Sequence, residues 1–271
     1  MATITAADVK KLRDATGAGM MDAKRALTEA EGDFDAAIEI LRVTGLAKMA
    51  NRSDREARNG LVAAAGKTVI QLGAETDFVA KSGDFIALAN EIAAAVAAAG
   101  AHGVEAANAV VLPSGKTVAE AVSELSVKIG EKLELAAAAS FDGPVSIYLH
   151  KRSQDLPPQV AVMVEYEGGD EGFVRGIAMQ IAAMSPSYVT REEVPDHVLE
   201  NERKIAELTA KEEGKPEAII PRVVEGRLGG FFKEVCLIEQ PSVSDDKLTV
   251  GQLLKKNGVE VKRFVRFAAG A

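Results

Sequence analysis

Three histidines and one cysteine are the side chains best suited to acid–base, nucleophilic or metal chemistry near neutral pH. His102, His150 and His197 lie far apart and lack the spacing of metal ligands. Cys236 sits in the run Val235-Cys236-Leu237-Ile238, which reads as part of an apolar strand over 234–238. A packed structural thiol is the expected role there, because free cysteine is commonly buried. No GxxxxGK[ST] phosphate loop occurs, and Thr16-Gly17-Ala18-Gly19 lacks the third glycine and the preceding strand of a dinucleotide loop. Distant residues can still converge, so these absences lower the prior for an enzyme without excluding one.

The informative segment is Glu75-Thr76-Asp77-Phe78-Val79-Ala80-Lys81-Ser82, which holds a phenylalanine among polar residues. Two roles are open to Phe78. It can fold back onto the core while Thr76 or Asp77 caps the next helix. Alternatively it can protrude as a wedge for a partner's pocket, where full burial of such a side chain is worth roughly 1.5–3 kcal/mol. Asp77 and Lys81 would then set its orientation.

The elements that carry these residues are read from periodicity and caps. Residues 1–45 suggest three short helices. Thr5 with Asp8 three residues on forms a capping-box pattern, and Val9 and Leu12 mark an inner face. Gly17 and Gly19 break the chain before a second helix that Gly32 closes. Asp33 starts a third helix with Ala37, Ile38 and Leu41 inside, and Gly45 is expected to end it. Residues 46–60, with Lys48, Arg52, Arg55 and Arg58, read as a polar basic linker with a domain boundary near residue 55.

A hairpin follows, 61–65 and 68–72 around Gly66-Lys67, where glycine in the first position suits a type II′ turn. Residues 73–84 read as a polar loop. Phe85, Leu88, Ala89, Ile92 and Val96 mark a helix, and Thr117 with Glu120 announces another. Strands are expected at 145–149 and 160–166, then a loop at Gly168-Gly169 and a helix through Phe173, Ile177, Ile181 and Met184. Over 192–232 two apolar stripes separated by Gly214-Lys215-Pro216 suggest an antiparallel helical hairpin. The first stripe is Val194, Val198, Ile205 and Leu208; the second is Ile219, Ile220, Val223, Val224 and Leu228. Pro195 suits a first turn, and at Pro221 the second helix should kink or restart. A helix around Leu253-Leu254 ended by Gly258 and an alternating strand from Val259 to Phe267 close the chain.

Composition sets the class. The chain has 271 residues, 47% apolar and 27% charged, an ordinary balance for a folded protein. No run approaches the roughly 20 apolar residues of a membrane helix. The first residues lack the basic start and apolar core of a secretory signal. A single cysteine fits a reducing, cytoplasmic setting. The net charge of −8 argues against broad binding to a phosphate backbone, so no direct nucleic-acid partner and no membrane are expected.

Two segments, LRDATGAGMMDAKRAL at 12–27 and TDFVAKS at 76–82, resemble the signature motifs of the elongation factor Ts family. IAMQIAAMSPSYV at 177–189, EGRLGGFFKEVCLIEQPSV at 225–243 and the closing TVGQLLKKNG and VKRFVRF resemble that family's C-terminal half, in the same order. The resemblance implies an α+β fold. An N-terminal three-helix ubiquitin-associated-like bundle and linker would occupy 1–54. Two related α+β subdomains with antiparallel sheets would follow, at 55–144 and 145–271, the latter with the hairpin inserted. It further implies that Arg13, Met20, Met21 and Lys24 dock on the nucleotide-binding domain of elongation factor Tu, although helix packing alone would also explain Met20-Met21. Thr76, Asp77, Phe78 and Val79 would intrude beside that partner's magnesium and phosphate site. Ile129, Gly130 and His150 match further contact positions, His150 otherwise reading as an ordinary surface histidine. Two departures stand out. The segment 151–159 is longer than the corresponding turn in many relatives. The chain also stops at Ala271, where some relatives continue into a helix that touches the partner.

The resulting expectation is a protein-binding nucleotide exchange factor that needs no nucleophile and no cofactor. A non-catalytic adaptor holding two proteins together is the alternative, and an enzyme a distant third.

Overall fold

The computed structural model describes residues 4–50 and 54–270, with backbone alone at 46–50. Asn51, Arg52 and Ser53 of the basic linker lie outside the described residues. The chain divides into two compact units, residues 1–140 with 151–160 and 267–271, and residues 141–150 with 161–266.

The first unit begins with helices α1 (Ala6–Thr16), α2 (Met20–Glu29) and α3 (Phe34–Ala50). Local chemistry explains their starts. Thr5 and Asp8 form a reciprocal capping box on α1, and the Asp33 carboxylate accepts the Ala36 N–H at 2.9 Å. Gly17 ends α1 in the left-handed region, φ +69°. Val9, Leu12, Ala23, Ala26, Leu27, Ala37 and Leu41 make the bundle's small core. Gly45 does not end α3, which runs on to Ala50. A Cβ on Gly45 would come 2.5 Å from a Val127 methyl, so glycine serves close packing at that point instead of helix termination.

Strands β1 (Asn59–Ala65) and β2 (Thr68–Ala74) form the expected hairpin, with Gly66 at φ +53°. The supposed loop over 73–84 instead contains the end of β2 and a one-turn helix, α4 (Asp77–Ala80). Helices α5 (Gly83–Ala99), α6 (Val104–Ala109) and α7 (Val118–Ile129) follow, the last started by the Thr117–Glu120 capping box. An unanticipated strand, β3 (Leu133–Ser140), then pairs antiparallel with β2. The sheet order is β1-β2-β3, and its core joins Leu61, Ile70, Leu72, Phe85, Ile92, Val96, Val118 and Leu135. The segment 151–160 belongs to this unit. Its Pro158 carbonyl accepts the Val62 N–H at 2.9 Å, which satisfies part of the β1 edge.

The second unit is built on strands β4 (Val145–His150), β5 (Val160–Glu167) and β6 (Glu260–Ala268), in that order, also antiparallel. Helix α8 (Glu171–Met184), capped by Asp170, packs on β4. Helices α9 (Asp196–Glu212) and α10 (Ile220–Val235) form the hairpin, and α11 (Val250–Lys256) precedes β6. Pro221 falls in the first turn of α10, so the helix restarts there without a kink. Pro195 is the residue before α9.

The hairpin's inner face differs from the expected stripe. Ala206 and Ala210 are buried against Ile220, Val224 and Leu228, whereas Ile205 and Leu208 are about half exposed. Small residues at the seam let two helices approach closely, and the larger side chains one step round the helix then face outward. The expected strand over 234–238 is absent as well. Helix α10 runs through Val235, a 3-10 turn covers Leu237–Glu239, and Cys236 makes only an isolated bridge to Tyr188.

Candidate functional site

The Phe78 segment is held by short-range and long-range bonds together. Helix α4 has four residues, too few to be stable by itself. Thr76 caps it in an extended conformation, its hydroxyl accepting the Val79 N–H at 3.4 Å. Val79 and Ala80 point into the sheet–helix core, 8% and 1% exposed. That anchoring turns Phe78 outward, where it is 72% exposed. Of the two roles open to Phe78, packing into the core is therefore not the one adopted. The buried phenylalanine of this region is Phe85, at 0% exposure.

One ammonium restrains both outward side chains of α4. Lys81 Nζ lies 4.5 Å from the Phe78 ring centroid and 3.7 Å from the Asp77 carboxylate.

The turn between α7 and β3 grips this segment. Gly130 ends α7 in the left-handed region, φ +89°, and delivers Glu131 toward Thr76. The Glu131 carboxylate accepts the Thr76 N–H at 3.0 Å and the Thr76 hydroxyl at 2.8 Å. In the other direction, the Glu75 carboxylate accepts the Lys132 N–H at 2.6 Å and faces the Arg55 guanidinium at 3.3 Å. The Asn59 side-chain amide donates to the Glu75 carbonyl at 2.8 Å. Two loops thus exchange carboxylates across the end of the sheet, where Ala74 pairs with Leu133. Ile129 and Gly130, half-buried, adjoin this clasp. Glu131 was not singled out from sequence. It lies 55 residues from Thr76, and no local pattern connects them.

The other candidates divide by location. Arg13, Met20, Met21 and Lys24 are all exposed on α1 and α2, with Met20 at 48% and Met21 at 76%. Helix packing therefore does not account for the methionine pair. His150 lies in the second unit at the exposed end of β4, its Nδ1 3.0 Å from the Tyr148 hydroxyl. Arg175 covers the Tyr148 ring at 5.5 Å and donates to the Ile147 carbonyl at 3.1 Å.

Reactive chemistry finds little support among these groups. Cys236 is fully buried, and burial, with Glu239 nearby, pushes its thiol up to about 11, far from the thiolate at neutral pH. Among the described residues, no group of three or more His, Cys, Asp or Glu side chains could hold a metal ion. None of the described helices is long and apolar enough to cross a membrane. The exposed phenylalanine, methionines and flanking charges suit recognition of another macromolecule.

Comparison with known proteins agrees in kind. Residues 75–271 match the family described as Elongation factor TS. The chain is 65% identical over 267 residues to Elongation factor Ts of Cutibacterium acnes, covering 98% of this chain and 99% of that protein. It is 57% identical over 272 residues to Elongation factor Ts of a Nocardioides species, covering 100% of both. To Elongation factor Ts of Nocardia farcinica it is 54% identical over 273 residues, covering 100% of this chain and 99% of that one. With its family match and full-length relatives, this chain belongs to the elongation factor Ts family and has the role of a translation elongation factor.

Proposed function

We propose that the chain is a guanine nucleotide exchange factor for elongation factor Tu, acting in the cytoplasm by protein–protein contact. It binds the GDP-loaded partner, promotes loss of magnesium and GDP, and holds the nucleotide-free state until GTP binds. The observation that carries this reading is Phe78, 72% exposed on a turn clamped from both sides. An apolar ring facing water and braced by buried neighbours suits insertion into a partner.

The work is differential binding, so no bond in a substrate is made or broken by this chain. The factor grips the nucleotide-free partner more tightly than the loaded one. Linkage then requires nucleotide to weaken that grip by the same factor. Each 1.4 kcal/mol of such coupling is about tenfold in affinity. Phe78 and Asp77 supply the coupling by displacing the partner elements that hold magnesium. Magnesium bridges phosphate oxygens, so its loss leaves their charge poorly compensated and GDP departs. Arg13, Met20, Met21 and Lys24 provide docking area on the partner's nucleotide-binding domain. Ile129, Gly130 and His150 provide further contacts.

The test is direct. Substoichiometric chain added to GDP-loaded elongation factor Tu should accelerate GDP release over many turnovers and hydrolyse nothing. An unchanged release rate at saturating factor would overturn the proposal. It would favour an adaptor role instead, for which the outward Ile205 and Leu208 of the hairpin offer an apolar surface.

A further inference from the structure

We infer that Glu131 is a positioning residue for exchange, a carboxylate that aims Phe78 without touching the partner's nucleotide. The inference rests on Phe78 being the inserting side chain, as proposed above.

The Thr76 hydroxyl has one proton and two lone pairs. Here the proton goes to Glu131 Oε1 at 2.8 Å, which leaves a lone pair for the Val79 N–H. The second carboxylate oxygen takes the Thr76 N–H at 3.0 Å. Both donors of Thr76 are thus fixed by one ionised group, and charge-assisted bonds of this kind are among the stronger ones. Thr76 in turn orients the first N–H groups of α4, whose outward residues are Asp77 and Phe78.

Glu131 is itself rigidly placed. Its carbonyl accepts the hydroxyl of Ser126, which is 0% exposed inside α7, at 2.5 Å. Its backbone follows the left-handed Gly130. The chain of support therefore runs from a buried serine through Glu131 to Thr76 and so to the base of Phe78. Without Glu131, Thr76 could still cap α4, but its amide would lose its partner and its hydroxyl proton would be free to rotate. The four-residue helix would then sample more directions, and Phe78 would meet the partner with a larger ordering cost.

The variants are Glu131→Ala, Glu131→Gln, Phe78→Ala and the two double combinations. Each is assayed for GDP release from elongation factor Tu at saturating factor and for thermal unfolding. The parent chain must accelerate release, or the exchange reading falls; Phe78→Ala should then slow release relative to the parent, and if it does not, this inference falls while exchange by the parent chain stands. Given that loss, Glu131→Ala should slow release about tenfold, the scale of a lost bond to a charged acceptor. Glu131→Gln, which keeps one acceptor oxygen, should lose less. The deciding readout is non-additivity. In the Phe78→Ala background, either Glu131 change should have little further effect, because there is no longer a ring to aim. Effects of Glu131 and Phe78 that multiply, or full activity in Glu131→Ala, would overturn the inference while leaving the exchange reading intact. If Glu131→Ala melts below the assay temperature, Glu131→Gln with its double variant decides by the same criterion.

Discussion

Replacing Phe78 with alanine separates a recognition role from a structural one. With 72% of its surface already in water, Phe78 keeps only about a quarter of its area covered in the free protein. Its contact with Lys81 is exposed, and such cation–π pairs are worth roughly 0.5–1 kcal/mol. The truncation should therefore lower the melting temperature by only a few degrees, on the scale of a 1 kcal/mol loss. Inserting the exposed part of the ring into a partner is another matter. Full burial of such a side chain is worth roughly 1.5–3 kcal/mol, so the uncovered share is about 1–2 kcal/mol. That corresponds to a loss of about fivefold to thirtyfold in exchange efficiency. Phe85 is the internal control. It is fully buried only seven residues on, and its truncation should cost roughly 3–5 kcal/mol of stability. Stopped-flow GDP release and thermal unfolding on the same two variants make the comparison. A Phe78 variant that melts much earlier, yet exchanges nucleotide normally per folded molecule, would refute the reasoning.

Further outcomes follow from burial and charge. Met20→Ala with Met21→Ala should leave thermal stability nearly unchanged, since both are exposed, while weakening association with nucleotide-free elongation factor Tu about tenfold by titration calorimetry. Unaltered affinity would remove the pair from the interface. Cys236 should resist alkylation at pH 8 in the folded protein and react quickly once unfolded. Its folded value of about 11 exceeds the ordinary 9.0, so the folded state holds the thiol proton more tightly. The stability it contributes is complete below pH 9 and is lost as the pH rises toward 11. Urea unfolding across that range should show a shallower decline for Cys236→Ala than for the parent chain, and identical slopes would refute the assignment.

Helix starts were legible because their chemistry is local. Thr5 with Asp8, Thr117 with Glu120 and Thr249 with Gln252 each place acceptor and donor three residues apart, and all three close as capping boxes. All three have the same spacing in the sequence, but only the first two were singled out there as helix starts. Strand β3 was not legible. Leu133–Ser140 reads LELAAAAS, and alanine has little intrinsic preference for strands. What makes it a strand is the open edge of β2 beside it, with Thr68 bonded to Ser140 across the register. The opposite error occurred at 234–238, where an apolar run looked like a strand. Its burial is real, Cys236 and Leu237 both being 0% exposed, but it comes from the end of α10 and the turn after it. Short apolar runs report burial and leave the backbone conformation open. The hairpin carries the same lesson, because alanines at 206 and 210 took the seam that larger side chains seemed to claim.

The candidate site shows where local reasoning stops. Phe78 and Phe85 both follow an aspartate and both lie near a helix start, yet one faces water and the other the core. The sequence can say that Thr76 suits a cap. It does not fix which way the capped turn points, because that depends on the core that receives Val79 and Ala80, on a carboxylate 55 residues away and on a second one reaching back. Motif resemblance selected Phe78 without this information, since a motif registers the residues and not the geometry that makes them effective. The geometry adds the physical requirement. Burial of Val79 and Ala80 decides which face of the four-residue helix turns inward, but so short a helix does not hold itself, and the exposed end that carries Phe78 is steadied by polar bonds anchored elsewhere. Glu131, fixed by Ser126, and Glu75, fixed between Lys132, Arg55 and Asn59, meet that requirement. Their cost is two partly buried carboxylates, which is favourable only while each keeps its donors. Loosening either one should therefore act first on the direction of Phe78 and only second on the stability of the sheet beneath it.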